Sequence, residues 1–351
     1  MQETIEQFVE TICKATEKRE SLCIQGSGSK DFYGGPRSGT VLDVTPYRGI
    51  VAYEPKELVL TARAGTTLVE IEQALAENNQ MLPFEPPHFG PGATIGGCIA
   101  AGLSGPRRPY QGSVRDFVLG VRILDGNGDD LVFGGQVMKN VAGYDVSRLM
   151  VGALGTLGVL LEVSLKVLPR PLQEITLRFD MDEKHAIEAM NRWAGQPVPL
   201  SATTFFNNEL TVRLSGTASA LAAARSNLGG IELLDGALYW NSVREQDNAF
   251  FKSDLPLWRI SLPSTVQSIN IPGTQFIEWG GALRWCLAEA DAMSVRMAAS
   301  NTGGQATLFR SDDKTQGAFH PLSPALMKIH KKLKQTFDPK GTFNPGRMYD
   351  F

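Results

Sequence analysis

Residues 91–105 read PGATIGGCIAAGLSG, so most positions carry glycine, alanine, serine or threonine. Glycine at this density lets backbone amides converge on an anion, or lets the backbone lie flat against a planar ligand. The wider segment from Pro83 to Gly112 lacks long periodic runs. A loop of this length inside a compact domain is more often functional than idle. We therefore predict a ligand-binding loop here.

Two other segments are also rich in glycine: GSGSK at 26–30 and GALGTLG at 152–158. Turn chemistry could explain any one of these segments alone, whereas three of them with serine or threonine beside the glycines indicate a bound nucleotide. The Rossmann fingerprint fails, because GSG at 26–28 is followed by SKD and lacks its third glycine. Walker A and protein-kinase signatures are absent from the sequence as well. A different architecture must hold the nucleotide.

The order and spacing of four segments resemble the FAD-binding domain of the vanillyl-alcohol-oxidase / p-cresol-methylhydroxylase (PCMH) superfamily: PGATIGG at 91–97, GSVRDFVLG at 112–120, GYD at 143–145 and GALGTLGV at 152–159. The resemblance covers most of residues 20–170. The closing segment 337–347 resembles the return of that superfamily's C-terminus to the flavin domain. The chain length, the short middle region and QGSGSK at 25–30 are most similar to the FAD-binding subunits of bacterial glycolate oxidases.

This resemblance implies FAD as the cofactor. Segment 26–30 would hold its pyrophosphate, and the small residues of 91–105 would form a second wall around the pyrophosphate and ribityl chain. Gly112 and Ser113 would lie close to the flavin ring, residues near 155–159 would line the adenine end, and Asn344 would approach the isoalloxazine. The cofactor residues implied in this way are Gly26, Ser27, Gly28, Ser29, Lys30, Pro91, Gly92, Ala93, Thr94, Gly96, Gly97, Ala100, Gly102, Gly112, Ser113, Gly155, Gly158, Val159 and Asn344.

Two positions depart from the pattern of the superfamily. Cys98 stands where asparagine is frequent close to the flavin, and Leu154 stands where glutamate is usual. We expect these changes to alter the electrostatics around the flavin without preventing FAD binding. Segment 26–30 has no histidine, the residue to which some relatives attach FAD covalently. We therefore expect a noncovalent cofactor.

Composition excludes several functional classes. The 351 residues carry 34 Lys+Arg and 37 Asp+Glu, for a formal net charge of −3, which argues against general nucleic-acid binding. The four cysteines and four histidines are scattered without metal-ligand spacing, so we expect no metal site and no disulfide framework. The start, MQETIEQFVE, is acidic where a signal peptide would be basic, and no apolar run approaches the ~20 residues of a membrane span. We expect a cytoplasmic protein without a transmembrane segment, peripheral to the inner membrane only through partners.

The fold class predicted from these observations is α+β. Pro169 and Pro171 mark the best boundary. We predict a two-subdomain PCMH-type FAD-binding domain at 1–171, a reduced α+β cap domain at 172–315, and a C-terminal segment at 316–351 that returns to the FAD domain. Periodicity predicts helices within 1–20, at 218–228 and at 324–337. The last of these would expose a basic face of Lys328, Lys331, Lys332 and Lys334, either as a solvated surface or for partner docking.

Catalysis by this chain alone is left open by the sequence. Relatives that oxidise 2-hydroxy acids use Arg and His residues in the substrate domain, whereas region 172–310 has one histidine, His185, expected on an exposed helix. His88 is interpreted as structural, and Arg107-Arg108 either as a solvated pair or as neutralising phosphate or substrate. The resemblance implies an FAD-dependent oxidoreductase subunit of a glycolate oxidase complex, with a second flavoprotein subunit carrying the hydroxy-acid site and an iron–sulfur subunit. A self-sufficient FAD oxidoreductase and a non-catalytic scaffold remain alternatives.

Overall fold

The computed structural model describes residues 1–135 and 145–351, so Gly143 and Tyr144 of the third family segment lie outside the described residues. Its strands are β1 Leu22–Gln25, β2 Thr40–Asp43, β3 Ile50–Glu54, β4 Val59–Arg63, β5 Gln80–Met81, β6 Val118–Leu124, β7 Asp130–Gly134, β8 Val159–Lys166, β9 Leu168–Pro169, β10 Gln173–Asp180, β11 Leu200–Phe206, β12 Glu209–Gly216, β13 Ile231–Glu232, β14 Leu257–Ser261, β15 Thr274–Glu278, β16 Leu283–Leu287 and β17 Gln305–Arg310. Its α-helices are α1 Gln2–Lys18, α2 Leu68–Ala76, α3 Ile95–Ala101, α4 Arg108–Gln111, α5 Val114–Phe117, α6 Val146–Leu149, α7 Glu183–Ala194, α8 Ala218–Leu228, α9 Gly236–Glu245, α10 Ala292–Asn301 and α11 Pro324–Phe337.

Two large antiparallel sheets organise these elements. The five-stranded sheet has the order β3-β4-β8-β6-β7, and the eight-stranded sheet has the order β13-β10-β12-β11-β15-β16-β14-β17. β1 and β2 form a separate parallel pair, to which Phe343 adds a parallel bridge at Leu22. The predicted α+β class is confirmed, since helices pack beside largely antiparallel sheets. The domain boundaries at 171/172 and 315/316 stay predictions.

Hydrophobic clusters explain why each region folds. The five-stranded sheet packs on α2 and α3, and α1 packs across the β1–β2 pair. A third cluster joins the two regions, bringing Tyr33, Leu103 and Leu154 against Phe276 and Trp285 of the eight-stranded sheet. All five tryptophans are buried. Burial of this much aromatic surface holds the second region directly on the loops of the first.

The glycine-rich segment contains a helix that the sequence did not predict. α3 runs from Ile95 to Ala101 even though glycine disfavours helices by about 1 kcal/mol relative to alanine. Thr94 caps it, because its Oγ1 accepts a hydrogen bond from the Gly97 amide at 3.2 Å. Ile95 and Ile99 are fully buried, so tertiary packing compensates for the poor local propensity. The expectation of an unstructured loop across 83–112 was therefore wrong at its centre.

The predicted basic face of α11 also needs correction. Lys328, Lys331 and Lys332 are exposed, but Lys334 is buried. Its ammonium donates to Asp338 Oδ2 at 2.6 Å and to the Thr156 carbonyl oxygen at 2.8 Å. Burial lowers the pKa of Lys334. Lys334 is thus a buried anchor of the C-terminal segment rather than part of a surface.

Candidate functional site

A cleft of about 780 Å³, measured with its open mouth, lies between the loop after β1 and one face of α3. Residues 154–160 and the C-terminal segment complete its walls. The lining residues are Cys23, Ile24, Gln25, Gly26, Ser27, Gly28, Ser29, Lys30, Asp31, Arg37, Val44, Ala64, Thr94, Gly96, Gly97, Ala100, Ala101, Leu154, Gly155, Gly158, Leu160, Asn344 and Arg347.

The loop after β1 reaches the cleft through two glycines. Gly28 has a φ of 78°, a left-handed conformation that favours glycine. A Cβ on Gly26 would lie only 2.6 Å from Thr94 Oγ1. The loop therefore approaches the start of α3 more closely than a side chain at Gly26 would permit.

The α3 wall of the cleft consists of small residues with two different functions. A Cβ on Gly96 would lie 2.8 Å from the Cβ of Ala64, so this glycine lets α3 pack on the segment after β4. A Cβ on Gly97 would meet only Thr94 Oγ1 within 4 Å, at 3.3 Å. Gly97 therefore leaves space on the cleft side that a ligand can use. Ala100, another residue with a small side chain, lines the same side of the cleft.

Cations outnumber carboxylates among the charged residues that line the cleft: Lys30, Arg37 and Arg347 against Asp31. Arg37 forms an ion pair with Asp31, and its Nε donates to Cys23 Sγ at 3.3 Å. The opposite charges of Arg37 and Asp31 therefore cancel. Lys30 and Arg347 leave an excess of positive charge, which suits a diphosphate.

Lys30 and Arg347 are held by backbone carbonyls rather than by carboxylates. Lys30 Nζ donates to the His88 carbonyl oxygen at 3.1 Å, and Arg347 donates to the carbonyl oxygens of Asp31 at 3.2 Å and Tyr33 at 2.5 Å. Burial lowers the pKa of both Lys30 and Arg347. A nearby anion would relieve that burial penalty, since opposite charge favours the protonated form.

Asn344 ties the C-terminal segment to the cleft. Its Oδ1 accepts from the Ile24 amide at 2.7 Å, and its Nδ2 donates to the Leu154 carbonyl oxygen at 2.7 Å. The residue adopts a φ of 42°, which asparagine tolerates better than most residues. Because both ends of its amide are bonded within the protein, Asn344 fixes the spacing between β1 and the 154–158 turn.

The structure brings many of the residues implied by the resemblance together along this cleft. The lining includes all of 26–30 as well as Thr94, Gly96, Gly97, Ala100, Gly155, Gly158 and Asn344. Gly92 lies nearby, since its Cβ would be 3.4 Å from the Cβ of Ser27. Their assignment to FAD stays a prediction.

The other implied residues do not line the cleft. Ala93 and Val159 are fully buried, and strand alternation turns Val159 away from the cleft while Leu160 lines it. Pro91 is exposed. Gly102 ends α3 with a φ of 65°, where a Cβ would lie 2.9 Å from Gly152 Cα.

Gly112 and Ser113 have local structural contacts, and their predicted approach to the flavin ring stays a prediction. Gly112 ends α4 with a φ of 112°, and Ser113 begins α5 in a reciprocal capping box with Asp116. Neither residue is among those that line the cleft.

Sequence reasoning assigned no ligand contact to nine lining residues: Cys23, Ile24, Gln25, Asp31, Arg37, Val44, Ala64, Leu160 and Arg347. The end of β1 could have been included, because it runs directly into the glycine loop. Nothing local in the sequence indicates Arg37 or Arg347. Their positions depend on the tertiary return of the C-terminal segment.

The two departures from the superfamily pattern occupy different environments. Leu154 lines the cleft with a φ of 51°. Cys98 lies within α3, where it is buried in the hydrophobic core, and it is not among the lining residues. Burial raises the pKa of the Cys98 thiol to about 12, so it remains protonated at neutral pH.

The remaining polar candidates have structural contacts. His88 is buried with Nε2 at 3.0 Å from Glu72 Oε1, and His185 is exposed beside Asp182 at the start of α7. Arg107 is buried and paired with Glu85 at 2.9 Å and with Glu174. The sequence left two alternatives for Arg107: a solvated loop residue, or a residue that neutralises phosphate or substrate. Its burial and its two carboxylate partners fit neither of them.

No group of three or more His, Cys, Asp or Glu side chains within residues 1–135 and 145–351 could hold a metal ion. No helix there is long and apolar enough to cross a membrane.

Comparison with known proteins places this geometry in a family. An FAD binding domain model matches residues 2–134. Glycolate oxidase subunit GlcE of Escherichia coli is 52% identical over 342 residues, covering 97% of this chain and 96% of that protein. Glycolate oxidase subunit GlcD of Bacillus subtilis is 34% identical over 170 residues, covering 48% of this chain and 35% of its own.

A solved alkyldihydroxyacetonephosphate synthase aligns with a TM-score of 0.67 over 97% of this chain and 74% of that one. At 13% sequence identity this likeness concerns the fold alone. The near-complete overlap with GlcE carries the assignment. The chain belongs to the glycolate oxidase subunit GlcE family of FAD-binding proteins.

Proposed function

We propose that this chain is the FAD-binding subunit of a multi-subunit oxidoreductase that oxidises glycolate, a 2-hydroxy acid, to glyoxylate and passes the electrons to partner subunits. The observation that carries the proposal is the glycine-walled, cationic cleft in a chain 52% identical to a glycolate oxidase subunit. When bound, FAD supplies the two-electron redox chemistry that such an oxidation requires.

The residues of this chain have a positioning function in the proposal. The amides of 26–30, together with Lys30 and Arg347, would hold the diphosphate, because backbone donors and a positive excess stabilise an anion without a metal. Gly97 would admit the ligand along α3, and Asn344 would keep the opposite wall in register. No lining residue supplies a histidine, which supports noncovalent attachment.

The proposed partners are a second flavoprotein subunit, which carries a hydroxy-acid site, and an iron–sulfur subunit that takes the electrons onward. The subunit names of the two glycolate oxidase relatives support a complex of more than one kind of subunit, and the iron–sulfur partner follows only from the family resemblance. We place the complex on the cytoplasmic side of the inner membrane, with this chain attached only through its partners. Co-purification of the tagged chain from its native cells, with and without detergent, tests both statements.

Visible absorption of the purified chain tests the cofactor. The proposal expects flavin absorption bands, with the flavin released into the supernatant when the protein is denatured by acid. A protein that stays colourless after incubation with excess FAD would refute the flavin function and favour the scaffold alternative. Flavin that precipitates with the denatured chain would contradict the noncovalent attachment.

Anaerobic addition of glycolate separates a subunit from a self-sufficient enzyme. The isolated chain is expected to keep its oxidised flavin spectrum, whereas the reconstituted complex should be reduced. Bleaching of the isolated chain by glycolate alone would establish the self-sufficient alternative instead.

A further inference from the structure

A second, smaller pocket lies at the junction of the two regions, beside the Lys30 end of the cleft. Its space is about 330 Å³ with the mouth included. Phe89 lines it and also packs under Lys30, whose Nζ is 5.7 Å from the ring centroid. Leu103 lines the pocket two residues after Ala101, which lines the cleft. The two spaces are therefore neighbours.

Most of the pocket wall is apolar, but one buried acceptor in it has no partner. Leu103, Leu283, Trp285 and Phe309 supply apolar surface. Gln246 is 8% exposed, and its Oε1 forms no hydrogen bond with the described residues. A buried acceptor without a partner is destabilising, so it needs a reason. A donor on a ligand would satisfy it.

The backbone at Gln246 is strained as well. The residue ends α9 in the left-handed region, with a φ of 56°. Such conformations cost free energy in residues other than glycine and concentrate at functional sites. Strain and an unsatisfied amide therefore coincide at one residue of the pocket.

A guanidinium group and a carboxyl group also line the pocket. Arg259, on β14, forms no ion pair with any described residue and lies 5.2 Å from the Trp279 ring centroid. Glu278, at the end of β15, is 4% exposed, and its Oε1 accepts from Trp285 Nε1 at 2.7 Å. Its Oε2 forms no hydrogen bond within the described residues.

Arg244 also lines this pocket, but it is already neutralised. Its Nε lies 2.7 Å from Glu245 Oε1, and a second, longer contact of 3.9 Å reaches Glu72. Arg259 is therefore the guanidinium available to a ligand in this space. A guanidinium group binds a carboxylate through two parallel N–H donors. Arg259 therefore indicates a carboxylate as the ligand group that it would bind.

We infer that this pocket is a binding site for a short 2-hydroxy acid of two or three carbons. The carboxylate of the acid would meet Arg259, and its hydroxyl would donate to Gln246 Oε1 or Glu278 Oε2. The small space favours a short acid. The inference rests on the proposed function and deepens it, because it gives this chain its own binding site for the acid.

Isothermal titration of the purified chain with sodium glycolate tests this assignment. Wild type should bind glycolate, and it should bind acetate more weakly because acetate lacks the hydroxyl. Arg259→Gln and Gln246→Leu should each weaken glycolate binding, by roughly 10- to 100-fold for the guanidinium. Arg178→Gln is the matched control, since Arg178 lies on the same sheet and pairs with Glu209 on the surface. This control should bind like wild type.

Flavin absorbance recorded on the same samples keeps the two proposals separate. Three results, each with normal flavin content, would overturn the pocket assignment. They are no glycolate binding by wild type, equal affinities of wild type for glycolate and acetate, and wild-type glycolate affinity in Arg259→Gln. Wild-type protein that binds glycolate but takes up no flavin would support the pocket and refute the proposed cofactor function.

Discussion

Substitution of Gly97 should separate ligand binding from folding. Apart from its chain neighbours and the backbone of its own helix, the one described atom within 4 Å of a Cβ at this position is Thr94 Oγ1, at 3.3 Å. Gly97→Ala gains up to about 1 kcal/mol of helix propensity, which the close Thr94 contact partly offsets. We therefore expect the free energy of unfolding of the flavin-free protein to change by less than about 1 kcal/mol.

Flavin binding should respond differently in the same series. Gly97→Leu places a branched side chain in the cleft, and overpacking of this kind costs about 1–3 kcal/mol. The dissociation constant for FAD should rise by roughly 10- to 100-fold. Fluorescence quenching on titration of flavin-free protein with FAD measures it, and urea unfolding measures stability.

Two other glycines provide matched comparisons for Gly97. Gly96→Ala should destabilise the flavin-free protein, because its Cβ would lie 2.8 Å from the Cβ of Ala64. Gly195→Leu should change neither property, because Gly195 ends α7 in the cap region and its nearest contact would be 3.6 Å away. Wild-type FAD affinity in Gly97→Leu would refute the placement of the ligand along α3.

Three further predictions concern buried charge. Lys334→Met should lower the free energy of unfolding by about 3 kcal/mol, because it leaves the buried Asp338 without its cation. The exposed control Lys328→Met should change this free energy by less than about 0.5 kcal/mol. Urea unfolding measures both. Burial raises the pKa of Glu278 from 4.5 to about 7. Between these two pH values the folded protein keeps a proton that the unfolded chain has lost. The free energy of unfolding should therefore fall by up to about 3 kcal/mol as the pH rises from 4.5 to 7. Glu278→Gln should flatten this dependence in thermal unfolding, and an unchanged slope would contradict the burial argument. Arg347→Lys should weaken FAD binding less than Arg347→Gln, because lysine keeps the charge but loses the planar donors; equal affinities would mean that the charge does not act on the ligand.

Elements with strong local signals were predictable from the sequence. The apolar spacing of Ile5, Phe8 and Ile12 predicts α1, and those three side chains are buried in the helix Gln2–Lys18. The turn Asp125-Gly126-Asn127-Gly128 predicts the hairpin of β6 and β7, and the two strands pair antiparallel as expected. In both cases the signal lies within one segment, so no distant contact is needed to interpret it.

Residues whose position depends on distant segments could not be predicted in this way. Arg347 reaches the cleft only because the C-terminal segment returns beside β1, where Asn344 bonds to Ile24 and Leu154. Glu278 lies where the eight-stranded sheet meets the loops of the first region, in a pocket that it lines together with Phe89 and Leu103. The single histidine of 172–310 indicates that the usual general base of hydroxy-acid oxidation is missing, and the groups that we propose for the acid are instead a glutamate, a glutamine and an arginine at the junction.

The glycines show why a motif identifies the fold more reliably than the site. Gly26, Gly96 and Gly155 are required by protein neighbours, since a Cβ on each would lie within 2.8 Å of another residue. Only positions such as Gly97 leave room for a ligand, and the sequence gives both kinds the same letter. The walls of the cleft come from segments far apart in the chain, near 26–31, 94–101 and 344–347. A ligand bound among them would stabilise their assembly by mass action, so FAD is expected to raise the melting temperature of the whole chain.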